Sequence, residues 1–129
     1  MAKTIIETAG APAPIGPYSQ AVRAGNLLFV SGQIALVPES GNVISGEIKE
    51  ETAQVMKNIK AILTEAGLNF GNIVKTSIFL SDMSLFAAVN EEYGKYFEGK
   101  SAPARETIAV KGLPKNVNVE ISVTAMFEA

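Results

Sequence analysis

The sequence predicts an α+β fold, in which two helices cover one face of a mixed sheet of about six strands. Strand-like segments rich in β-branched residues outnumber helical ones, and the predicted elements follow the order β-β-β-α-β-α-β-β. Two segments carry apolar residues at the spacing of a helix that buries one side. The chain has 129 residues, which suits a single domain spanning residues 1–129.

The first three predicted strands occupy the N-terminal part of the chain. Residues 4–8 form a short strand, and residues 9–17 form a loop, because prolines and glycines there continue neither a helix nor a central strand. Residues 20–24 and 27–31 form a hairpin, since the Gly-Asn pair between them suits a two-residue turn.

Residues 48–66 form the clearest helix of the sequence. Its apolar residues fall on one face, Glu50 and Glu51 in the first turns suit the helix dipole, and Gly67 ends it. We interpret the charged residues away from the apolar stripe, Glu51 among them, as a solvated face and assign them no chemistry.

A strand and a second helix follow in the middle of the chain. The strand covers residues 73–80, and the helix covers residues 85–97 with Ser84 as its N-cap. The aromatic residues of this helix form an apolar stripe, which is more typical of a core than of a cofactor site. By its chemistry alone, Asn90 on this helix is a surface residue.

The last two predicted strands cover residues 105–111 and 117–127 and are joined by a turn of Gly, Pro and Asn. We therefore expect a hairpin. Arg105 and Thr107 share one face of the first strand, and the hairpin brings them beside Glu120 on the second. A guanidinium, a hydroxyl and a carboxylate would then converge. The alternative is an ion pair between Arg105 and Glu120 that only supports the hairpin.

The composition excludes several kinds of site. The chain has no cysteine and no histidine, which excludes disulfides, thiol nucleophiles, Ser-His-Asp chemistry and metals held by thiolate or imidazole. We see no clustered Asp/Glu motif, so we expect neither metal nor cofactor. The net charge of −2 without a basic run gives no nucleic-acid footprint. Lacking a membrane-length apolar run or a secretory signal, the chain is expected to be cytoplasmic.

Five blocks of the sequence stand in the order found in a known family: Gly16 to Val22, Phe29 to Ile34, Lys75-Thr76 with Leu80 and Asp82-Met83, Asn90 with Tyr93 and Tyr96-Phe97, and Pro103-Ala104-Arg105 with Leu113-Pro114 and Val119-Glu120-Ile121. Together they resemble the YjgF/Rid family, the reactive-intermediate deaminases. The resemblance covers nearly the whole chain.

The resemblance implies a chorismate-mutase-like fold that assembles as a homotrimer, with sheets facing a central barrel and sites between neighbouring subunits. The sequence itself also indicates self-association. Strands 27–31 and 73–80 carry apolar residues on both faces, whereas two helices cover only one face of a sheet. Glu120, Ser122 and Thr124 would be polar lining on the second face.

The resemblance also implies which residues lie near a substrate: Tyr18, Ser31, Gly32 and Asn90. Without it, Tyr18 would pack its ring and leave its hydroxyl to water, and Ser31-Gly32 would be a simple strand end. A glycine at this place also permits close approach of a ligand or a neighbouring backbone.

The activity that the resemblance implies is hydrolysis of 2-iminopropanoate and 2-iminobutanoate, released by pyridoxal-phosphate dehydratases, to 2-oxo acids and ammonia. Arg105 would clamp the substrate carboxylate, because a guanidinium fork matches it with two hydrogen bonds. Glu120 would position water or carry a proton, and Thr107 would complete the pocket. Such a reaction removes reactive species that damage pyridoxal-phosphate enzymes.

Two other functions stay open from the sequence. The same pocket would serve a regulator that binds a 2-oxo acid without turnover. Ribonuclease or translation-inhibitor activity, described for some relatives, is disfavoured by the acidic balance and the missing histidines.

Three positions depart from the family pattern or vary within it. Glu106 follows Arg105 where a small or apolar residue is usual, and its side chain should point to the opposite face of the strand. Glu51 replaces a common glutamine at a position that we interpret as structural. Thr107 stands at a position where the residue type varies among family members, and this variation would tune the size of the substrate.

Overall fold

A computed structural model describes residues 2–97, 99 and 101–128 of the chain. Its elements follow the predicted order. Their bounds are β1 Thr4–Ile6, β2 Ala21–Ala24, β3 Leu27–Gln33, α1 Ile48–Glu65, β4 Ile73–Leu80, α2 Phe86–Gly94, β5 Ala104–Ala109 and β6 Val119–Met126. Single turns of 3-10 helix lie at Phe70–Asn72 and Met83–Leu85, and a turn with left-handed backbone angles lies at Pro114–Asn116.

The six strands form one sheet in the order β1-β2-β3-β6-β4-β5. β6 lies in the interior, antiparallel to β3 on one side and to β4 on the other, and β5 forms an edge parallel to β4. The predicted six-stranded mixed sheet is therefore confirmed, and β2 and β3 form the predicted hairpin.

The predicted hairpin of the last two strands is wrong, because β4 lies between β5 and β6. Residues 110–118 form a crossover past the end of β4 instead of a tight turn. The Val110 N–H donates to the Leu80 carbonyl (2.9 Å), and the Ser81 N–H donates to the Asn118 carbonyl (3.0 Å). A central place suits β6, since its inward residues are apolar and both of its edges find partners.

Both helices pack on one face of the sheet and enclose the core. The alternation predicted for β6 is confirmed, because the residues that face the helices are buried while their neighbours are more exposed. The β6 contribution to the core is Val119, Ile121, Val123 and Ala125, and the α1 contribution includes Val55, Ile59, Ile62 and Leu63.

The outer face of the sheet is open within a single chain. Phe29 is 47% exposed, Ile108 is 48% exposed and Met126 is 43% exposed. The single chain therefore exposes apolar residues on its second sheet face, as the sequence predicts, because both helices lie on the other side. Large apolar side chains on an uncovered sheet face are a common mark of an interface.

The helix predictions need small corrections. α1 ends one residue earlier than expected, and Gly67 after it has φ 80°, which favours glycine. α2 is shorter than the predicted 85–97, because a 3-10 turn takes its first residue and residues 95 and 96 leave the helix as turns after Gly94. Asp82 opens that turn by accepting a hydrogen bond from the Ser84 N–H (2.8 Å), so the prediction of Ser84 as the cap is wrong.

Glu51 is a further correction, because its side chain is 1% exposed and belongs to no solvated face. The carboxylate accepts hydrogen bonds from the Asn118 N–H (2.7 Å), the Asn118 side-chain amide (3.0 Å) and the Val119 N–H (3.2 Å). The first turn of α1 lies over the start of β6, whose N–H groups need acceptors there. The structural interpretation of this position is confirmed.

Neither of the two helices in the described part of the chain has the length and apolarity to cross a membrane.

Candidate functional site

Arg105 lies on β5 at the edge of the sheet, on the face that the helices cover. Its Nη1 donates a hydrogen bond to the Asn90 side-chain oxygen on α2 (2.7 Å). The guanidinium carbon is 5.3 Å from the centre of the Tyr93 ring and 5.7 Å from that of the Phe86 ring. Aromatic faces and an amide thus orient the guanidinium without neutralising it.

No carboxylate pairs with Arg105 among the residues that the structure describes. Thr107, two residues along the same face, has a buried hydroxyl oxygen with no hydrogen-bond partner in the described chain. A charged fork and an unused hydroxyl therefore lie side by side. We call Arg105, Asn90 and Thr107 the Arg105 half-site.

Tyr93 is a residue of this region that the sequence analysis assigned only to the core. It is 5% exposed, and its hydroxyl donates to the Thr76 hydroxyl (2.9 Å). Burial raises the pKa of the Tyr93 hydroxyl, while its hydrogen bond with Thr76 and then the nearby Arg105 charge act in the opposite direction. Its place three residues after Asn90 was the available signal, since residues so spaced share a helix face.

Glu120 lies on the outer face of β6, in a pocket that also includes Tyr18, Gly32, Pro114 and Lys115. Its carboxylate makes no hydrogen bond or ion pair within the described residues. Desolvation by burial raises the pKa of this carboxyl above its ordinary value of 4.5. A half-buried, unpartnered acid of this kind keeps its proton to a higher pH than an exposed one. We call Glu120, Tyr18 and Gly32 the Glu120 half-site.

Gly32 permits the position of the Glu120 side chain. A Cβ at residue 32 would lie 2.9 Å from the Glu120 carboxyl carbon and 3.1 Å from its Cγ, with one carboxylate oxygen closer still. Any side chain here would therefore displace the carboxylate. The close approach expected of this glycine is an approach to Glu120.

Two polar residues hold the loop that carries Tyr18. The Ser31 hydroxyl donates to the Ser19 carbonyl (2.6 Å), so this predicted site residue joins the loop to β3. Gln20, which sequence analysis missed, is 2% exposed. Its amide accepts from the Thr8 N–H (2.7 Å) and donates to carbonyls of the same loop. A buried glutamine in a Pro/Gly loop has no periodic pattern that would reveal it.

The two half-sites do not converge within one chain. Arg105 lies opposite Thr76 on β4, whereas Glu120 lies opposite Phe79. Positions 76 and 79 point to opposite faces of the strand, so Arg105 and Glu120 do too. The predicted convergence is wrong, and so is the alternative of a cross-strand ion pair, because both required β5 and β6 to be neighbours.

Glu106 points away from Arg105, as predicted. On the outer face it pairs with the Lys75 ammonium (3.0 Å) and accepts a short hydrogen bond from the Ser77 hydroxyl. The Ser77 bond, and then Lys75, lower the pKa of the Glu106 carboxyl. It therefore does not neutralise Arg105 within the chain.

The described parts of the chain contain no group of three or more Asp or Glu side chains that is placed to hold a metal ion.

The sequence is similar to a known family and to proteins of several organisms. The family model described as Endoribonuclease L-PSP matches residues 8–127. A RutC family protein of Pyrococcus abyssi is 50% identical over 128 residues, covering 99% of this chain and 100% of that protein. A mouse protein named 2-iminobutanoate/2-iminopropanoate deaminase is 46% identical over 124 residues, covering 96% of this chain and 91% of that protein.

The fold is similar to that of a solved structure. The crystal structure of Escherichia coli TdcF with bound serine has a TM-score of 0.90 and 38% identity, and the match covers 97% of this chain and 99% of that one. Relatives by sequence and by fold thus each match nearly the whole of this chain.

Proposed function

We propose that this chain, which belongs to the YjgF/Rid family, is a hydrolytic deaminase of small 2-imino acids. Its substrates would be 2-iminopropanoate and 2-iminobutanoate, and its products the 2-oxo acids and ammonia. The mouse relative is named for this activity, and the E. coli relative was crystallised with serine, a small molecule that also carries a carboxylate.

The observation that carries the proposal is the unneutralised Arg105 beside the unused Thr107 hydroxyl. Asn90 occupies one guanidinium nitrogen (2.7 Å) and leaves the rest of the fork for a ligand. A substrate carboxylate would accept two hydrogen bonds from that fork. The Thr107 hydroxyl, which is buried in the single chain, would donate a further bond after its side chain turns toward the substrate.

The reaction needs a positioned water and a group that moves protons. Water attacks the carbon of the protonated imine, and the C=N π electrons move to nitrogen as the new C–O bond forms. Glu120 accepts the proton that water loses and returns it to the amino nitrogen. The C–N bond then breaks and ammonia leaves as the C=O bond forms, while the proton of the new hydroxyl group passes to the Glu120 carboxylate. The burial that raises the pKa of Glu120 suits this exchange.

A complete site would require a second copy of the chain. One chain holds Arg105 and Glu120 on opposite faces of its sheet. We therefore propose the homotrimer that the family resemblance implies, in which the Arg105 half-site of one subunit meets the Glu120 half-site of the next. The exposed Phe29, Ile108 and Met126 on the outer face support this assembly, because it would cover them.

The experiment is a competition for the imine. A threonine dehydratase generates 2-iminobutanoate in the presence of semicarbazide, and semicarbazone formation is followed with and without the purified protein. Wild type should suppress the semicarbazone, and Arg105→Ala should lose at least about 100-fold in this activity, as expected for a lost bidentate clamp.

The matched control is Arg23→Ala. Arg23 stacks on the Phe127 ring (3.7 Å), in a different region from both half-sites, so its removal should leave the suppression unchanged. Light scattering must show the same assembly for all three proteins. A wild type that leaves semicarbazone formation unchanged would refute the deaminase proposal.

One comparison favours a second candidate, because the matching family model is described as an endoribonuclease. The chain has no histidine and a net charge of −2, which suits neither the usual acid–base pair of a ribonuclease nor phosphate binding. RNA cleavage that Arg105→Ala abolishes would favour this candidate. Binding of a 2-oxo acid without turnover would favour a regulator.

A further inference from the structure

The pocket around Glu120 contains a cation to which no role has been assigned. Lys115 lines this pocket. Among the described residues that line it, Lys115 carries the positive charge, Glu120 carries the acidic group, and the others are apolar or neutral. Within the described chain, the Lys115 ammonium forms no ion pair.

The backbone holds Lys115 in an unfavourable conformation. Its φ is 55° and its ψ is 23°, and Asn116 next to it has φ 56°. This left-handed region is uncommon for a residue with a side chain, although asparagine tolerates it better than lysine does. Residues held in this way are concentrated at functional sites, because strain persists only where the surrounding structure or function requires it.

The charge balance of the pocket gives Lys115 a reason to be there. A 2-imino or 2-oxo acid enters with a negative charge, and an ionised Glu120 would repel it. The guanidinium that would bind the carboxylate lies on the opposite face of the chain that supplies Glu120. Lys115 is the positive group that comes from the same chain as Glu120.

We propose that Lys115 is a second anion-binding residue of this site, which attracts the carboxylate of the ligand. The inference rests on the proposed function, since it takes the ligand to be a small 2-imino or 2-oxo acid. Arg105 orients the carboxylate through paired hydrogen bonds, whereas the flexible ammonium of Lys115 acts through charge at longer range.

The test is calorimetric titration with 2-oxobutanoate and with its neutral amide, 2-oxobutanamide. Lys115→Gln should raise the Kd for 2-oxobutanoate about fivefold at low ionic strength and less than about twofold at 0.5 M salt, because salt screens such an interaction. The Kd for the amide should not change. Lys115→Arg should bind 2-oxobutanoate as wild type does.

Two glycine variants separate charge from backbone. Lys115→Gly should lose the same affinity as Lys115→Gln without a fall in Tm, because glycine adopts this conformation without strain. Asn116→Gly relieves the same backbone conformation one residue later, and it should keep the wild-type Kd. Light scattering checks that each variant keeps the assembly of the wild type.

Three results would overturn the inference: an unchanged Kd in Lys115→Gln, an equal loss for the acid and the amide, or an assembly changed by the substitution. The semicarbazone assay on wild type judges the deaminase proposal separately. If the wild type hydrolyses the imine but the Kd does not depend on Lys115, the deaminase proposal stands and this inference is wrong. If the Kd depends on Lys115 but the wild type shows no turnover, this inference stands and the deaminase proposal is wrong.

Discussion

Replacing Glu51 by alanine should be among the most destabilising single changes in this chain. The Glu51 carboxylate accepts three hydrogen bonds at the start of β6, at 2.7, 3.0 and 3.2 Å. The N–H of Val119, a residue that is 0% exposed, would lose its acceptor, and an unsatisfied buried N–H costs about 1–3 kcal/mol. The two donors of Asn118 can turn to water, since Asn118 is exposed, and we assign about 1 kcal/mol to each.

The expected loss for Glu51→Ala is therefore about 3–5 kcal/mol in the free energy of unfolding. For a chain of this length that loss corresponds to a fall of roughly 10–20 °C in Tm. Urea unfolding and thermal unfolding should be measured at one protomer concentration, because self-association couples stability to concentration.

Glu51→Gln is the matched control. The oxygen of a glutamine at position 51 can accept from the backbone N–H groups of Asn118 and Val119. The glutamine NH2 group can donate to the side-chain oxygen of Asn118 if the Asn118 amide group rotates by 180°. After that rotation the Asn118 NH2 group faces the Ser81 hydroxyl, which in the wild type lies 3.0 Å from the Asn118 side-chain oxygen. We expect a loss below about 1 kcal/mol. If Glu51→Ala costs no more than Glu51→Gln, the three hydrogen bonds do not stabilise the fold as argued.

Two further predictions concern the Glu120 half-site. Gly32→Ala should lower deaminase activity about 10- to 100-fold by displacing the Glu120 carboxylate. The control is Gly112→Ala, because an added Cβ at Gly112 meets nothing within 4 Å. Equal activity of the two variants would contradict the packing argument. Burial raises the pKa of Glu120, so ionisation opposes folding, and that loss of stability appears as pH rises above 4.5. Glu120→Gln should therefore raise Tm at pH 7 and not at pH 3.5, and an equal shift at both values would exclude this explanation.

Local patterns predicted the elements of this fold and failed at one contact between them. The helix over Ile48–Glu65 and the alternation of β6 follow from periodicity, which each segment carries alone. The Gly, Pro and Asn after β5 correctly indicated that the chain turns back. They carry no information about which strand it returns to, and β4 occupies the place beside β5.

That one error determined the prediction for the site. The family resemblance identified Arg105, Asn90 and Glu120 as residues of interest, and the structure joins Arg105 to Asn90. The faces of Arg105 and Glu120 depend on their register with β4, which no turn signal specifies. The burial of Glu51 and its hydrogen-bond partners were not predicted for a related reason, because an acid in the first turn of a helix has the same pattern whether water or backbone N–H groups meet it.

The division of the site between two faces has a consequence for inheritance. In the proposed trimer, a subunit with a damaged Arg105 half-site still offers an intact Glu120 half-site to its neighbour. When two alleles with opposite defects are expressed in equal amounts, random mixing in a cyclic trimer would restore both halves at about a quarter of the sites. Two alleles that are inactive alone would then complement each other in one cell, whereas two alleles damaged in the same half would not.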